Sequence, residues 1–147
     1  MKSKLALLLV VAALLSGCSV VEELDRSVNY TSEATAYVEQ AAEFARELPD
    51  LAQQAVNDPA LQEKLVAELE AMKQRIADFN ALEAPQLAAD VHAKLQDYNA
   101  TLDREIDQAL AGLLNGIPAV QAIQDSQIVQ TLTDIAQLME QINSLGG

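Results

Sequence analysis

Tryptophan is absent from this chain, histidine and cysteine occur once each, and only three tyrosines and two phenylalanines are present. The single cysteine, Cys18, excludes an intramolecular disulfide and a cysteine-rich metal site. With one histidine and no second thiol, the usual nucleophile–base pairs cannot be assembled. Glycine-rich phosphate loops, the dinucleotide fingerprint and the Gly-x-Ser-x-Gly elbow are all missing. Sparse aromatics also leave little to line a sugar cleft, so a cell-wall-acting enzyme built on a carboxylate pair ranks behind every non-catalytic alternative. No enzymatic activity, cofactor or metal is expected. Basic residues are scarce as well: 9 Lys+Arg stand against 22 Asp+Glu, a net charge of −13. That balance excludes nucleic acid as a partner, since phosphate contact needs a basic surface. It equally disfavours lying flat on anionic headgroups, which attract basic segments.

What is present begins at the N-terminus. Lys2 and Lys4 precede eleven apolar residues, Leu5 to Leu15, and then small residues. This is the layout of a secretory signal. The apolar run is too short for a bilayer, which needs about 20 residues. Leu15-Ser16-Gly17-Cys18 at its end resembles the lipobox of bacterial lipoproteins. The resemblance implies cleavage before Cys18, a diacylglycerol on its thiol and acyl chains such as palmitate holding the mature chain at the extracytoplasmic face of the cell membrane. Two acyl chains make a stable anchor where one would be marginal. Residues 1–17 are then the signal peptide, and 18–30 the lipidated cysteine with a juxtamembrane segment leading into the first helix. Residues 31–147 form a helical domain. Removing residues 1–17 takes two lysines and no acid, so the side-chain balance becomes 7 − 22 = −15. Whether residues 19–29 are helix or flexible tether is open.

Downstream, helical periodicity dominates. Apolar or small residues recur at 21, 24, 28, 31, 35, 38, 42 and 45, beside a second row of Tyr30, Ala34, Tyr37, Ala41, Phe44 and Leu48. Poor helix formers at Asn29-Tyr30-Thr31-Ser32 predict a kink or a start, and Pro49 predicts a stop. Asp58-Pro59 reads as N-cap and first helical position. The next helix carries Leu61, Leu65, Leu69, Met72, Ile76 and Phe79 to about Leu82. Pro85 opens a third, with Leu87, Val91, Leu95, Tyr98, Leu102, Ile106, Ala109 and Leu113, stopped by Asn115-Gly116. A short passage after Pro118 leads to Asp125-Ser126 and a last helix bearing Ile128, Leu132, Ile135, Met139 and Ile142. Short connections between amphipathic helices predict an all-α, antiparallel up-and-down bundle of three to four long helices, elongated in shape. A coiled-coil hairpin that dimerises is the alternative.

Asn57-Asp58-Pro59, Met72-Lys73-Gln74-Arg75-Ile76, Phe79-Asn80-Ala81-Leu82-Glu83-Ala84-Pro85, Asp90-Val91-His92 and Tyr98-Asn99 together resemble a family of small lipoproteins from spore-forming Gram-positive bacilli. The family has no assigned function. Membership implies a lipoprotein on the outer face of a single membrane, and it carries over no catalytic residue.

Two features are candidate sites. His92 has no carboxylate three or four residues away and is expected to be an ordinary surface or boundary residue. Glu39, Glu43 and Glu47 follow at i, i+4 and i+8 and form an acidic stripe, a solvated face first and a weak cation-facing surface second. The row Tyr30, Tyr37 and Phe44 is expected to be core packing. The function these features favour is a lipid-anchored, non-catalytic binding or scaffolding module of the cell envelope, with another envelope protein as partner. The alternative is a lipoprotein that captures a cation, lipid or small molecule between its helices. The sequence leaves the oligomeric state open.

Overall fold

The computed structural model describes residues 17–145, with side chains described from Leu24 onward. Its elements are α1 (Gly17–Gln54), α2 (Pro59–Asn80), a 3₁₀ turn (Gln86–Ala88), α3 (Ala89–Leu114), α4 (Ala119–Gln124), α5 (Ile128–Ala136) and α6 (Met139–Asn143). No strand occurs among the described residues.

α1 is 38 residues long, about 57 Å at 1.5 Å per residue. It passes both points at which the sequence predicts a break. At Asn29–Ser32, burial of Tyr30 in the core offsets weak propensities. Those propensities cost only about 0.5–0.7 kcal/mol each. Pro49 lies inside the helix rather than at its end. A mid-helix proline removes one backbone bond and costs about 3 kcal/mol. The buried row nevertheless continues past it through Leu48, Ala52 and Ala55, and that burial carries the helix on to Gln54.

α2 starts as its sequence predicts. Asp58 Oδ1 accepts from the amides of Ala60 at 2.9 Å and Leu61 at 3.3 Å, with Pro59 in the first turn. The helix closes at Asn80, two residues short of the expected Leu82. α3 does not begin at Pro85. Residues 86–88 tighten into a 3₁₀ turn that rotates Ala88 inward and leaves Leu87, expected in the core, 70 % exposed. Tyr98 in the same row is half-buried. The stop at Gly116 is a Schellman motif: φ is +81°, Gly116 N–H reaches the Leu113 carbonyl and Ile117 N–H reaches that of Gly112. The expected single last helix is two. A tight turn at Gln137–Leu138, closed by Leu138 N–H to the Ile135 carbonyl, advances the register. Leu138 thereby takes the core place predicted for Met139, which is half-buried.

Side-chain pairs fix the topology. Tyr30 meets His92 and Tyr37 meets Asn99, the same offset of 62 residues in the same sense, so α1 and α3 run parallel. Lys73 meets Asp107 while Asn80 meets Asn99, so α2 runs against α3. Thr131 meets Glu105 and Gln141 meets Lys94, so α5 and α6 also run against α3. Backbone packing is closest between α1 and α2, α2 and α3, α3 and α5, and α5 and α1. The result is an up-down-up-down four-helix bundle with α1 and α3 on opposite corners. Its core is one continuous cluster that includes Leu48, Leu65, Leu69, Met72, Leu95, Leu102, Ile106, Leu132 and Ile135, each such burial contributing roughly 1.5–3 kcal/mol.

Candidate functional site

The most distinctive chemistry lies along the diagonal of the bundle, where the sequence predicts only packing. Tyr30 and Tyr37 stand two turns apart on α1, and His92 and Asn99 stand two turns apart on α3. Because α1 and α3 are parallel, the two pairs form two rungs across the core. The Tyr30 hydroxyl is 3.1 Å from His92 Nδ1. The Tyr37 hydroxyl donates to Asn99 Oδ1, and Asn99 Nδ2 donates to Asn80 Oδ1 at 2.9 Å. Phe79 of α2 fills the space between the rungs. It stacks on Tyr37 with ring centroids 4.6 Å apart and lies 5.1 Å from the His92 ring.

Burial sets the protonation of these groups. It pushes the Tyr30 phenol up to about 12 and Tyr37 higher still, in the second case against the lowering effect of the Asn99 bond. It lowers His92 below the ordinary imidazole value, because the charged form would lose hydration without gaining a carboxylate. At neutral pH the seam is an uncharged set of mutually satisfied hydrogen bonds. Its members were hidden for different reasons. His92, expected to be an ordinary surface or boundary residue, is buried, because its partner comes from a helix 62 residues away and not from its own face. Asn99 sits between Leu95 and Leu102 in the core row of α3, so the spacing marks it as inward-facing although its amide argues otherwise. Glu105 and Thr131 form a second buried pair, Thr131 Oγ1 donating to Glu105 Oε2 at 3.0 Å between α3 and α5.

The sequence-predicted positions are distributed differently. Leu15 and Ser16 of the lipobox lie outside the described residues, as does the 1–16 portion of the signal segment. Gly17 and Cys18 open α1, so the helix that carries the cysteine is the helix that builds the bundle. Glu39, Glu43 and Glu47 are all exposed along α1 and converge on no common point. Among the described residues no group of three or more His, Cys, Asp or Glu is placed to hold a metal ion. Asp103 and Asp107 instead flank Lys73 of α2, with Nζ 3.5 Å from Asp103 Oδ1 and in direct contact with Asp107. These carboxylates raise the lysine above its ordinary value, the Asp107 hydrogen bond first.

One surface cleft has an apolar floor and a polar rim. Past Pro49, the end of α1 parts from α4 and α5 over a cleft of about 510 Å³, with Ala52, Ile123 and Val129 as its floor and Gln53, Gln127 and Gln130 at its rim. No helix among the described residues is long and apolar enough to cross a membrane.

The fold and its neutral core seam define an all-helical bundle in which the buried His92, Asn99, Glu105 and Thr131 bond from helix to helix. The chain belongs to a family of unknown function, DUF6376, whose model matches residues 30–145. It is 39% identical over 130 residues to the uncharacterized lipoprotein YybP of Bacillus subtilis (strain 168), covering 88% of each chain. No solved structure matches it.

Proposed function

We propose that this protein is a lipid-anchored, extracytoplasmic helical lipoprotein that acts as a non-catalytic binding or scaffolding module of the cell envelope. The observation that carries this proposal is the continuity of α1. A single helix leads from Cys18 through the whole length of the bundle, so a lipid on that cysteine would display the bundle directly above the membrane. The lipoprotein relative, alike over nearly its whole length, supports the anchor. The pairing of Tyr30, Tyr37, His92, Asn99, Glu105 and Thr131 with one another supports a structural use for the residues best equipped for chemistry. The test is in-cell cross-linking of the tagged protein beside its Cys18→Ala form. A discrete partner held in near-equal amount by the tethered form alone is the expected result. Recovery of the bait alone would count against scaffolding.

The cleft beside Pro49 favours a second function, capture of a small ligand. An apolar floor with a few polar groups at the rim is the usual construction of such sites, and the glutamine amides suit an uncharged, hydrogen-bonding molecule. Native mass spectrometry of protein taken directly from membranes would show a retained ligand, lost on Ile123→Gln.

A further inference from the structure

The exposed apolar side chains at the start of the bundle are placed by the same geometry that fixes its topology. Leu24 on α1 is 59 % exposed and Leu87, in the 3₁₀ turn before α3, is 70 % exposed. α1 and α3 are parallel with an offset of 62 residues, so Leu87 stands level with residue 25 of α1. The two leucines therefore lie in one plane at one end of the rod. Arg26 and the stretch Glu83–Leu87 border a common surface hollow there, which joins the loop to α1 at that level.

That plane is close to Cys18. Leu24 lies six residue steps along unbroken helix from Cys18, a rise of about 9 Å. The headgroup layer of one leaflet is about 5–8 Å thick, the difference between the full bilayer and its hydrocarbon core. A diacylglyceryl group holds the cysteine sulfur at the top of the acyl chains, so the plane of the two leucines falls at the outer edge of the headgroups. No flexible segment intervenes to carry it away.

We infer that the anchor-proximal end of the bundle, through Leu24 and Leu87, rests on the lipid surface to which Cys18 ties it. The rod stands on the bilayer instead of swinging from a tether. This contact rests on the lipidation of Cys18 proposed above. Asp25, Glu83 and Asp90 outnumber Arg26 at this end, so the surface it fits is zwitterionic rather than strongly anionic.

Lipidation consumes the only thiol in the chain, so a single introduced cysteine can be labelled in the full mature lipoprotein. Leu24→Cys, Leu87→Cys and, at the far end, Leu114→Cys replace exposed side chains and leave the core intact. Each is labelled with an environment-sensitive fluorophore and reconstituted into phosphatidylcholine vesicles containing a shallow lipid quencher. The expected result is quenching at positions 24 and 87 at least threefold greater than at 114. Equal quenching at all three positions would overturn the contact while leaving the anchor standing. Protection of 24 and 87 from aqueous iodide without lipid quenching would also overturn it, since a protein would then cover that end. Mass spectrometry of the same samples separates the two failures, because an unmodified Cys18 would remove the anchor and the contact together.

Discussion

The hydroxyl of Tyr30 lies 3.1 Å from Nδ1 of His92 across the diagonal of the bundle. This bond joins the first and third helices, which do not follow one another in the chain, and it sits at the end of the rod nearest Cys18. It also places the only histidine of the protein in a buried, neutral environment with Phe79 against its ring. Protonation would turn both ring nitrogens into donors and put an unpaired charge in the core.

Stability is therefore expected to depend on the protonation of His92. Its folded-state value is depressed below 6.5 by burial, so the folded protein binds fewer protons than the unfolded chain in this range. The contribution is fully present above pH 6.5 and is lost as pH falls through the depressed folded value. Urea midpoints taken from pH 8 down to pH 5 will fall in the wild type. In His92→Phe the decline between pH 7 and 5 will be shallower, and an unchanged slope would refute the assignment.

The second rung predicts a coupling. Tyr37→Phe leaves Asn99 Oδ1 without its donor in a fully buried site and should cost about 1–3 kcal/mol. Asn99→Leu strands the Tyr37 hydroxyl in the same way. In the double variant neither polar group is stranded against the other, so the two losses will not add. A double-mutant cycle in chemical denaturation should return an interaction of about 0.5–3 kcal/mol, and simple additivity would show that the rung is not formed.

Pro49 should be a stability defect. Replacing it with alanine restores an amide near the C-terminal end of α1 without changing the buried row on either side. Pro49→Ala is expected to raise stability by about 1–3 kcal/mol, read as an increase in melting temperature. If the cleft beside it holds a ligand, the same variant will bind that ligand less well.

The Lys73 pair with Asp103 and Asp107 is partly exposed and predicts a small, salt-sensitive effect. Lys73→Met should change stability by no more than about 1 kcal/mol in low salt. The difference should shrink at about 1 M salt, where the screening length is near 3 Å.

Much of this architecture is written in local spacing. The core rows of α2 and α3, the Asp58 cap, the Gly116 stop and the up-and-down order all follow from periodicities and capping residues within a few positions of one another. The misreadings share a cause. Pro49 and Asn29–Ser32 are local signals for a break, and each is overridden by burial against helices distant in sequence. Leu87 is displaced because the turn before α3 has three residues per turn and not 3.6. The Tyr30–His92 and Tyr37–Asn99 rungs were illegible because each needs two helices to be set parallel with a fixed offset. Their one trace in the sequence is the equal seven-residue spacing of Tyr30 and Tyr37 on one side and His92 and Asn99 on the other.

Whether a lipid on Cys18 holds this bundle at the membrane is read from the mass of the N-terminal peptide in the membrane fraction. The expected peptide begins at Cys18 and carries a diacylglyceryl thioether, while the Cys18→Ala form keeps residues 1–17 and carries no lipid. A membrane-bound wild-type chain that begins elsewhere, or that retains a free thiol at Cys18, would rule out a lipid anchor at that residue.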